Sequence, residues 1–243
     1  VVSGTITDVT DTERRLLTEK EVAGHMRLAC MTKARGEVVI ETGEGEEDHV
    51  FTTGGVEGHF KRDADKHGYG LAVDIGTTTV VATLVNMDDG TEGPTYAQIN
   101  PQKTYGLDVL TRITYETEHK EAAISQLQKA IVQGLNEAAT AVCNEAGIEV
   151  TEITEIDVAA NCTMLHMLAG VDARPIGRAP YKPAFTDGQK LKARDLGLMG
   201  AAGAMVYLLP SVSAYIGADI VAGVYVCDLR HSPGKTLFID IGT

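Results

Sequence analysis

The sequence lacks the surplus of basic side chains with which a protein neutralises a nucleic-acid backbone. It has 21 lysines and arginines against 34 aspartates and glutamates, a net charge of −13, and no basic patch. Binding to DNA or RNA is therefore disfavoured. The sequence also lacks any apolar run near the roughly 20 residues that cross a bilayer, and nothing in it resembles a signal peptide. We expect a cytoplasmic protein with no nucleic-acid partner and no membrane span.

Cysteine is scarce, and its spacing argues against a disulfide-rich secreted protein. The four cysteines are widely separated and form no CxxC pair: Cys30, Cys143, Cys162 and Cys227. A secreted disulfide framework is therefore not expected, and a reducing compartment fits this pattern best. The histidines do not indicate a metal site either, because His49, His59 and His67 do not have the spacing of a pair of metal ligands on a helix. We interpret these three histidines as part of a solvated loop.

Changes in composition divide the chain into four segments. Residues 1–42 form a small unit, 43–68 are a linker rich in glycine, acidic residues and histidine, 69–235 carry an α/β pattern, and 236–243 begin a further strand. Within the first segment, Thr10-Asp11-Thr12-Glu13 has the form of a capping box that starts a helix. A strand is expected at 37–41.

The third segment predicts a mixed sheet with flanking helices. Strands are expected at 71–73, 80–85, 96–99, 153–159 and 206–209, with a last strand at 236–239. Helices are expected at 107–114, 121–146, 164–168 and 213–226. In the first of these helices Leu107, Leu110 and Ile113 share one face, and Gly147 closes the second. Three successive strands followed by alternating helices and strands indicate an α/β fold with a mixed sheet.

The strongest motif is a repeat. Residues 71–77 recur at 237–243, with five of seven positions identical and the other two apolar. Each copy is a strand that ends in aspartate, isoleucine, glycine and threonine. Two copies of one such turn indicate two related half-domains that face one ligand.

The first copy has the chemistry of a site for phosphate and magnesium. Gly76 lets the backbone approach an anion without a Cβ atom in the way. Turn amides and the hydroxyls of Thr77, Thr78 and Thr79 can donate to phosphate, and Asp74 can hold Mg²⁺ through water. The alternative is an ordinary hairpin turn, and the second copy favours the phosphate site.

These motifs carry a family resemblance. The sequence Asp-Ile-Gly-Thr-Thr-Thr at 74–79, followed by Asp-Ile-Gly-Thr at 240–243, resembles the two phosphate motifs of the ASKHA superfamily, whose ribonuclease-H-like halves close over ATP. Four segments resemble one branch, the reductive activators of corrinoid proteins: 105–113, 161–168, 176–181 and 216–223. Those proteins carry a [2Fe-2S] ferredoxin domain of the β-grasp fold before the ASKHA core. Residues 27–30 and 36–41 are similar to the closing stretch of such a domain.

The resemblance implies that Cys30 is the last of four thiolate ligands to a [2Fe-2S] cluster. The C-x₄-C-x₂-C run that supplies the other three is absent from this sequence. We therefore expect the chain to be a fragment that begins inside the ferredoxin domain and stops at the start of the second ASKHA half. The alternative for Cys30 is a buried free thiol.

The resemblance also implies a function: one-electron transfer from the [2Fe-2S] cluster to Co(II) of a corrinoid protein, giving Co(I), coupled to ATP binding or hydrolysis. In this interpretation Asp74 and Asp240 are catalytic and bind Mg²⁺ through water. The phosphate-binding residues are then those of both turns: Gly76, Thr77, Thr78, Thr79, Gly242 and Thr243.

A further assignment concerns the residues that follow the strand at 153–159. Asn161, Thr163 and Met164 are expected on the cleft or partner side, and the alternative is that Asn161 or Thr163 caps a helix with Met164 in the core. Two other functions stay open, a small-molecule ASKHA kinase and a nucleotide-gated scaffold of the actin or chaperone type. The expected partner is the corrinoid protein of a methyltransferase system, and a homodimer is left open.

Overall fold

A computed structural model describes residues 2–29, 31–41, 63 and 65–240. The chain divides into two compact units, Val1–His49 and Val50–Thr243. The predicted linker lies mostly outside the described residues, and the predicted domain boundaries stay a prediction. No helix in the described ranges is long and apolar enough to span a membrane.

The first unit is a two-stranded sheet with two short helices. Strands β1 (Ser3–Ile6) and β2 (Ala34–Val39) pair in antiparallel orientation around helices α1 (Asp11–Leu16) and α2 (Glu19–Ala23). The predicted capping box is confirmed, because Thr10 accepts from the backbone N–H of Glu13 and the Glu13 carboxylate accepts from that of Thr10. Arg27 also donates from Nε and Nη2 to this buried carboxylate at 2.9 Å, and together these bonds hold the pKa of Glu13 well below its ordinary value.

The second unit contains a six-stranded mixed sheet in the order β5-β4-β3-β6-β8-β7. Its strands are β3 (Tyr69–Ile75), β4 (Thr79–Asn86), β5 (Thr91–Ile99), β6 (Ile153–Ala160), β7 (Gln189–Lys192) and β8 (Met205–Leu208). The first three pair in antiparallel orientation, β3, β6 and β8 run parallel, and β7 returns antiparallel to β8. Parallel strands end at one edge of a sheet, and β3 and β6 therefore bring their carboxyl ends together.

Helices cover this sheet: α3 (Val109–His119), α4 (Glu121–Ala146), α5 (Cys162–Ala169), α6 (Ala193–Leu196) and α7 (Ala218–Val226). The bounds predicted for α4 are confirmed, and Gly147 ends it in the left-handed conformation. Its buried stripe recurs at three- and four-residue steps and packs against β4, β5 and α5. These apolar side chains and those of the central strands form the core of the unit.

Three predictions about this unit are wrong. The apolar face predicted for Leu107, Leu110 and Ile113 does not form, because α3 begins only at Val109 and its buried side chains are those of Arg112, Ile113 and Glu116, while Leu107 and Leu110 are exposed. The last helix begins at Ala218 rather than 213, since the residues before it form a turn in which the Ser213 hydroxyl accepts from backbone N–H groups.

The predicted last strand, 236–239, is also not a strand. A strand needs a neighbour to complete its backbone hydrogen bonds, and within the described part of the chain this segment pairs with none.

Candidate functional site

The candidate site lies where the chain turns from β3 into β4. Asp74 is the penultimate residue of β3, between Val81 of β4 and Ala159 of β6. Its side chain is accessible to solvent. The turn that follows, residues 76–78, is the Gly-Thr-Thr sequence predicted to bind phosphate.

Side chains and backbone from two other segments hold the carbonyl groups of this turn. Asn100 donates from Nδ2 to the Gly76 oxygen at 2.8 Å and from its backbone N–H to the Thr78 oxygen at 2.7 Å. Arg112 donates from Nη2 to the Thr77 oxygen at 2.6 Å. The C=O and N–H groups of a trans peptide point in opposite directions. The N–H groups of Thr77 and Thr78 therefore face away from Asn100 and Arg112, as a backbone anion site requires.

Gly76 is required by the tightness of the turn. A Cβ atom at this position would lie 2.8 Å from the carbonyl oxygen of Thr79. That distance is shorter than a carbon and a backbone oxygen tolerate, so any side chain would shift the start of β4. From the sequence, Gly76 was expected to let a ligand approach the backbone. In the structure, the glycine also lets the backbone at residue 76 pack closely against that of Thr79.

Asn161 joins the turn to α5. Its side-chain oxygen accepts from the backbone N–H of Met164 at 3.0 Å, which caps α5, and its Nδ2 donates to the Thr77 hydroxyl at 3.2 Å. Thr163 and Met164 are 2% and 0% exposed, so the expectation that they face a cleft is corrected. The structure agrees with the alternative, in which Asn161 caps the helix and Met164 lies in the core.

The charges of two other aspartates act on Asp74 beside the turn. The protein around Asp74 removes part of its hydration and raises its pKa, and the charges of Asp219 and Asp240 raise it further. Burial and the charge of Asp240 likewise raise the pKa of the half-buried Asp219. The charge of Asp240, from the second sequence repeat, thus reaches Asp74 of the first repeat and Asp219 in the first turn of α7. Gly242 and Thr243 lie outside the described residues.

Close packing places Asp219 at this position. A Cβ atom on Gly217, the residue that precedes α7, would lie 2.5 Å from Asn161 Cα and 2.9 Å from the Ala160 oxygen. The start of α7 therefore lies directly on the end of β6. Only glycine permits this approach, and it delivers the Asp219 carboxylate to the edge where β3 also ends.

The donor set fits a hydrated magnesium ion rather than a directly bound metal. In the described ranges no three histidine, cysteine or acidic side chains are arranged to hold a metal directly. Mg²⁺ prefers oxygen ligands and keeps several of its waters. Asp74, Asp219 and Asp240 supply such oxygens. Cys30, the expected cluster ligand, lies outside the described residues.

Reasoning from the sequence missed three residues of this site: Asn100, Arg112 and Asp219. Asn100 directly follows β5, and Asp219 lies in the first turn of a helix that a glycine precedes, so both had a local signal. Arg112 lies in the segment 105–113 that carries the family resemblance, but its helix pattern gave no signal, because a charged residue in an amphipathic helix is ordinarily expected on the solvated face. The structure buries it completely.

The mixed sheet, its flanking helices and the Asp-Ile-Gly-Thr turn at the end of its first strand define an α/β unit of the ASKHA type, as predicted. A family model described as the RACo middle region matches residues 69–232. The chain belongs to this family, the reductive activators of corrinoid proteins.

Two relatives carry names that agree with this family. The corrinoid activation enzyme RamQ of Eubacterium limosum is 32% identical over 181 residues, which cover 74% of this chain and 30% of that protein. A solved structure named reductive activator for corrinoid, iron-sulfur protein is 38% identical, with a TM-score of 0.70 over 74% of this chain and 29% of the other. This chain therefore spans about three tenths of the length of these relatives.

Proposed function

We propose that this chain is the nucleotide-responsive part of an ATP-dependent reductive activator of a corrinoid protein. The observation that supports the proposal most strongly is that the charge of Asp240 acts on Asp74. Asp240 raises the pKa of Asp74, its equivalent in the first sequence repeat, beside a turn whose amides face outward. A substrate with several phosphates and a bound Mg²⁺ has the chemistry that such a site binds.

The roles of individual residues follow from their positions. The N–H groups of Thr77 and Thr78 and the nearby hydroxyls, including that of Thr79, bind phosphate oxygens. Asp74 and Asp240, joined by Asp219, hold Mg²⁺ through its waters. From the sequence repeat we assign Gly242 and Thr243 to the opposite side of the same phosphates.

Reduction of cobalt is coupled to the nucleotide by differential affinity. ATP that contacts both Asp-Ile-Gly-Thr segments favours the form of the protein in which they are close together. A corrinoid partner that binds this form better is shifted towards a state in which Co(II) can accept an electron. A [2Fe-2S] cluster, with Cys30 as one ligand, would supply that electron. The names of the two relatives support this choice of partner.

The test is reduction of a Co(II) corrinoid protein by the complete protein under anaerobic conditions, followed by the absorption spectrum of Co(I). We expect reduction with ATP and little with ADP. We expect D74A to lose the stimulation by ATP, while the matched change at the exposed Asp195, D195A, keeps it. Reduction that is equal with and without ATP would overturn the proposal, and phosphate transfer to a small molecule would favour a kinase.

A further inference from the structure

Arg112 is a buried cation directly beneath the turn that we assign to phosphate. Its side chain is 0% exposed. The guanidinium donates from Nε to the Gly106 oxygen at 2.9 Å and from Nη1 to Gln102 Oε1 at 3.3 Å and Met164 Sδ at 3.0 Å. Its Nη2 donates to the Thr77 oxygen at 2.6 Å. All these acceptors are uncharged.

Among the residues that the structure describes, the charge of Arg112 has no direct counterion. In the described part of the chain no carboxylate lies within 4.0 Å of its nitrogens. Within the described ranges, the only carboxylate that acts on its charge is that of Asp108, which is exposed and caps α3. Burial lowers the pKa of Arg112 to about 10, which still leaves it charged at neutral pH. A buried charge without a partner is costly, so an anion nearby is strongly favoured.

One peptide group links this charge to the ligand side of the turn. Arg112 binds the Thr77 carbonyl oxygen, and the N–H of the same peptide belongs to Thr78 and points the other way. A hydrogen bond to a charged donor polarises a peptide and strengthens the bond that its N–H makes. The guanidinium therefore makes the Thr78 N–H a better donor to an anion.

We propose that Arg112 is a positioning residue that sets the affinity of the turn for the phosphates of the nucleotide, acting through the Thr77–Thr78 peptide and serving as their buried counter-charge. This inference rests on the proposed function, because it assumes that the turn binds phosphate. Arg112 itself touches no phosphate. The effect of Arg112 reaches the phosphate through the polarised Thr77–Thr78 peptide.

Three variants of the complete protein separate charge from hydrogen bonding. R112K keeps the charge, R112Q keeps a hydrogen-bond donor without the charge, and R194Q makes the same change at an exposed arginine on α6. Binding of ATP, AMP and adenosine is measured by calorimetry. We expect R112Q to bind ATP about tenfold more weakly or worse, as loss of a charged hydrogen bond predicts. Adenosine binding should not change, R112K should lie between wild type and R112Q, and R194Q should match wild type.

A merely structural role gives a different pattern, because R112Q and R112K would then weaken ATP binding equally. That result, or unchanged binding in R112Q, would overturn the inference. A wild-type protein that binds no ATP would instead overturn the proposed function. Since R112Q could fail to fold, the Arg112 Nε–H resonance of the wild-type protein provides a second test. It should shift when ATP is added and stay in place with adenosine, and no shift with bound ATP would contradict the proposal.

Discussion

Single residues in α3 carry more polar chemistry than the helix pattern suggests. Glu116 is fully buried one turn after Arg112, and its Oε2 accepts from the N–H of Ala173 at 2.9 Å. Its other oxygen has no partner among the described residues. Burial raises the pKa of Glu116 to about 7, and the nearby Asp172 adds to the shift. The carboxyl group is therefore half-ionised near neutral pH.

Replacing Glu116 by glutamine should change how stability depends on pH. A raised pKa means that the folded protein binds the proton more tightly, so wild-type stability is full below about pH 4.5 and declines as the pH rises to about 7. We expect E116Q to remove this decline and to exceed wild type by up to about 3 kcal/mol at pH 8. Urea unfolding between pH 5 and 8 measures this pH dependence of stability. The same change at the exposed Glu118, E118Q, is the control. An unaltered decline in E116Q would contradict this interpretation.

Gly76 gives a second prediction at this scale. In G76A the new methyl group meets the Thr79 oxygen at 2.8 Å, so the turn must open. We expect a loss of about 1–3 kcal/mol in the free energy of unfolding, the usual effect of overpacking, and weaker ATP binding. G203A is the matched control, since a Cβ atom there meets nothing within 4 Å. Equal stability and ATP affinity in the two variants would show that the turn does not need its glycine.

The residues of the candidate site divide into those that sequence reasoning could find and those that it could not. Asp74 and Gly76 stand in a contiguous motif whose order already states its chemistry. Asn100, Arg112 and Asp219 each come from a different segment and meet the turn only after the sheet has formed. A local sequence pattern does not show which distant segments will come into contact in the folded protein.

At the scale of elements, periodicity predicted best where the element packs on a large surface. Helix α4 buries one stripe over its whole length and ends at a glycine, and its predicted bounds are confirmed. Strand β7 was missed because two of its four residues are exposed, the other two are only half-buried, and the strand lies at the sheet edge. The segment at 236–239 has a strand's composition, but a strand exists only with a neighbour to pair with.

The start of α5 allows a test of how an element supports the turn. Asn161 both caps this helix and donates to Thr77. We expect N161A to lose about 1 kcal/mol of stability, the usual contribution of a helix cap. N161S restores an acceptor for the cap but not the donor, so it should recover stability while ATP binding stays weakened. Denaturant unfolding and calorimetry measure the two effects, and recovery of both in N161S would refute a separate role for the donor.

At the scale of the whole molecule, the two copies of the sequence repeat come within electrostatic range of each other. The two Asp-Ile-Gly segments are far apart in the chain, and most of the sheet and helices of the second unit lie between them. The fold nonetheless leaves Asp74 and Asp240 within electrostatic reach, and α7 adds Asp219. The repeat predicted that the segments face one ligand, and the charges of these aspartates support that prediction. Contacts of Gly242 and Thr243 stay a prediction.

A double-mutant cycle on the affinity for Mg-ATP tests this central claim most directly. The complete protein is measured by calorimetry as wild type, D74N, D240N and the double variant, with D195N as an exposed control. If both aspartates hold one hydrated Mg²⁺, the two single changes should not add, and their interaction free energy should exceed about 0.5 kcal/mol. Effects that add to within about 0.3 kcal/mol would mean that Asp74 and Asp240 act at separate places, and would contradict the account.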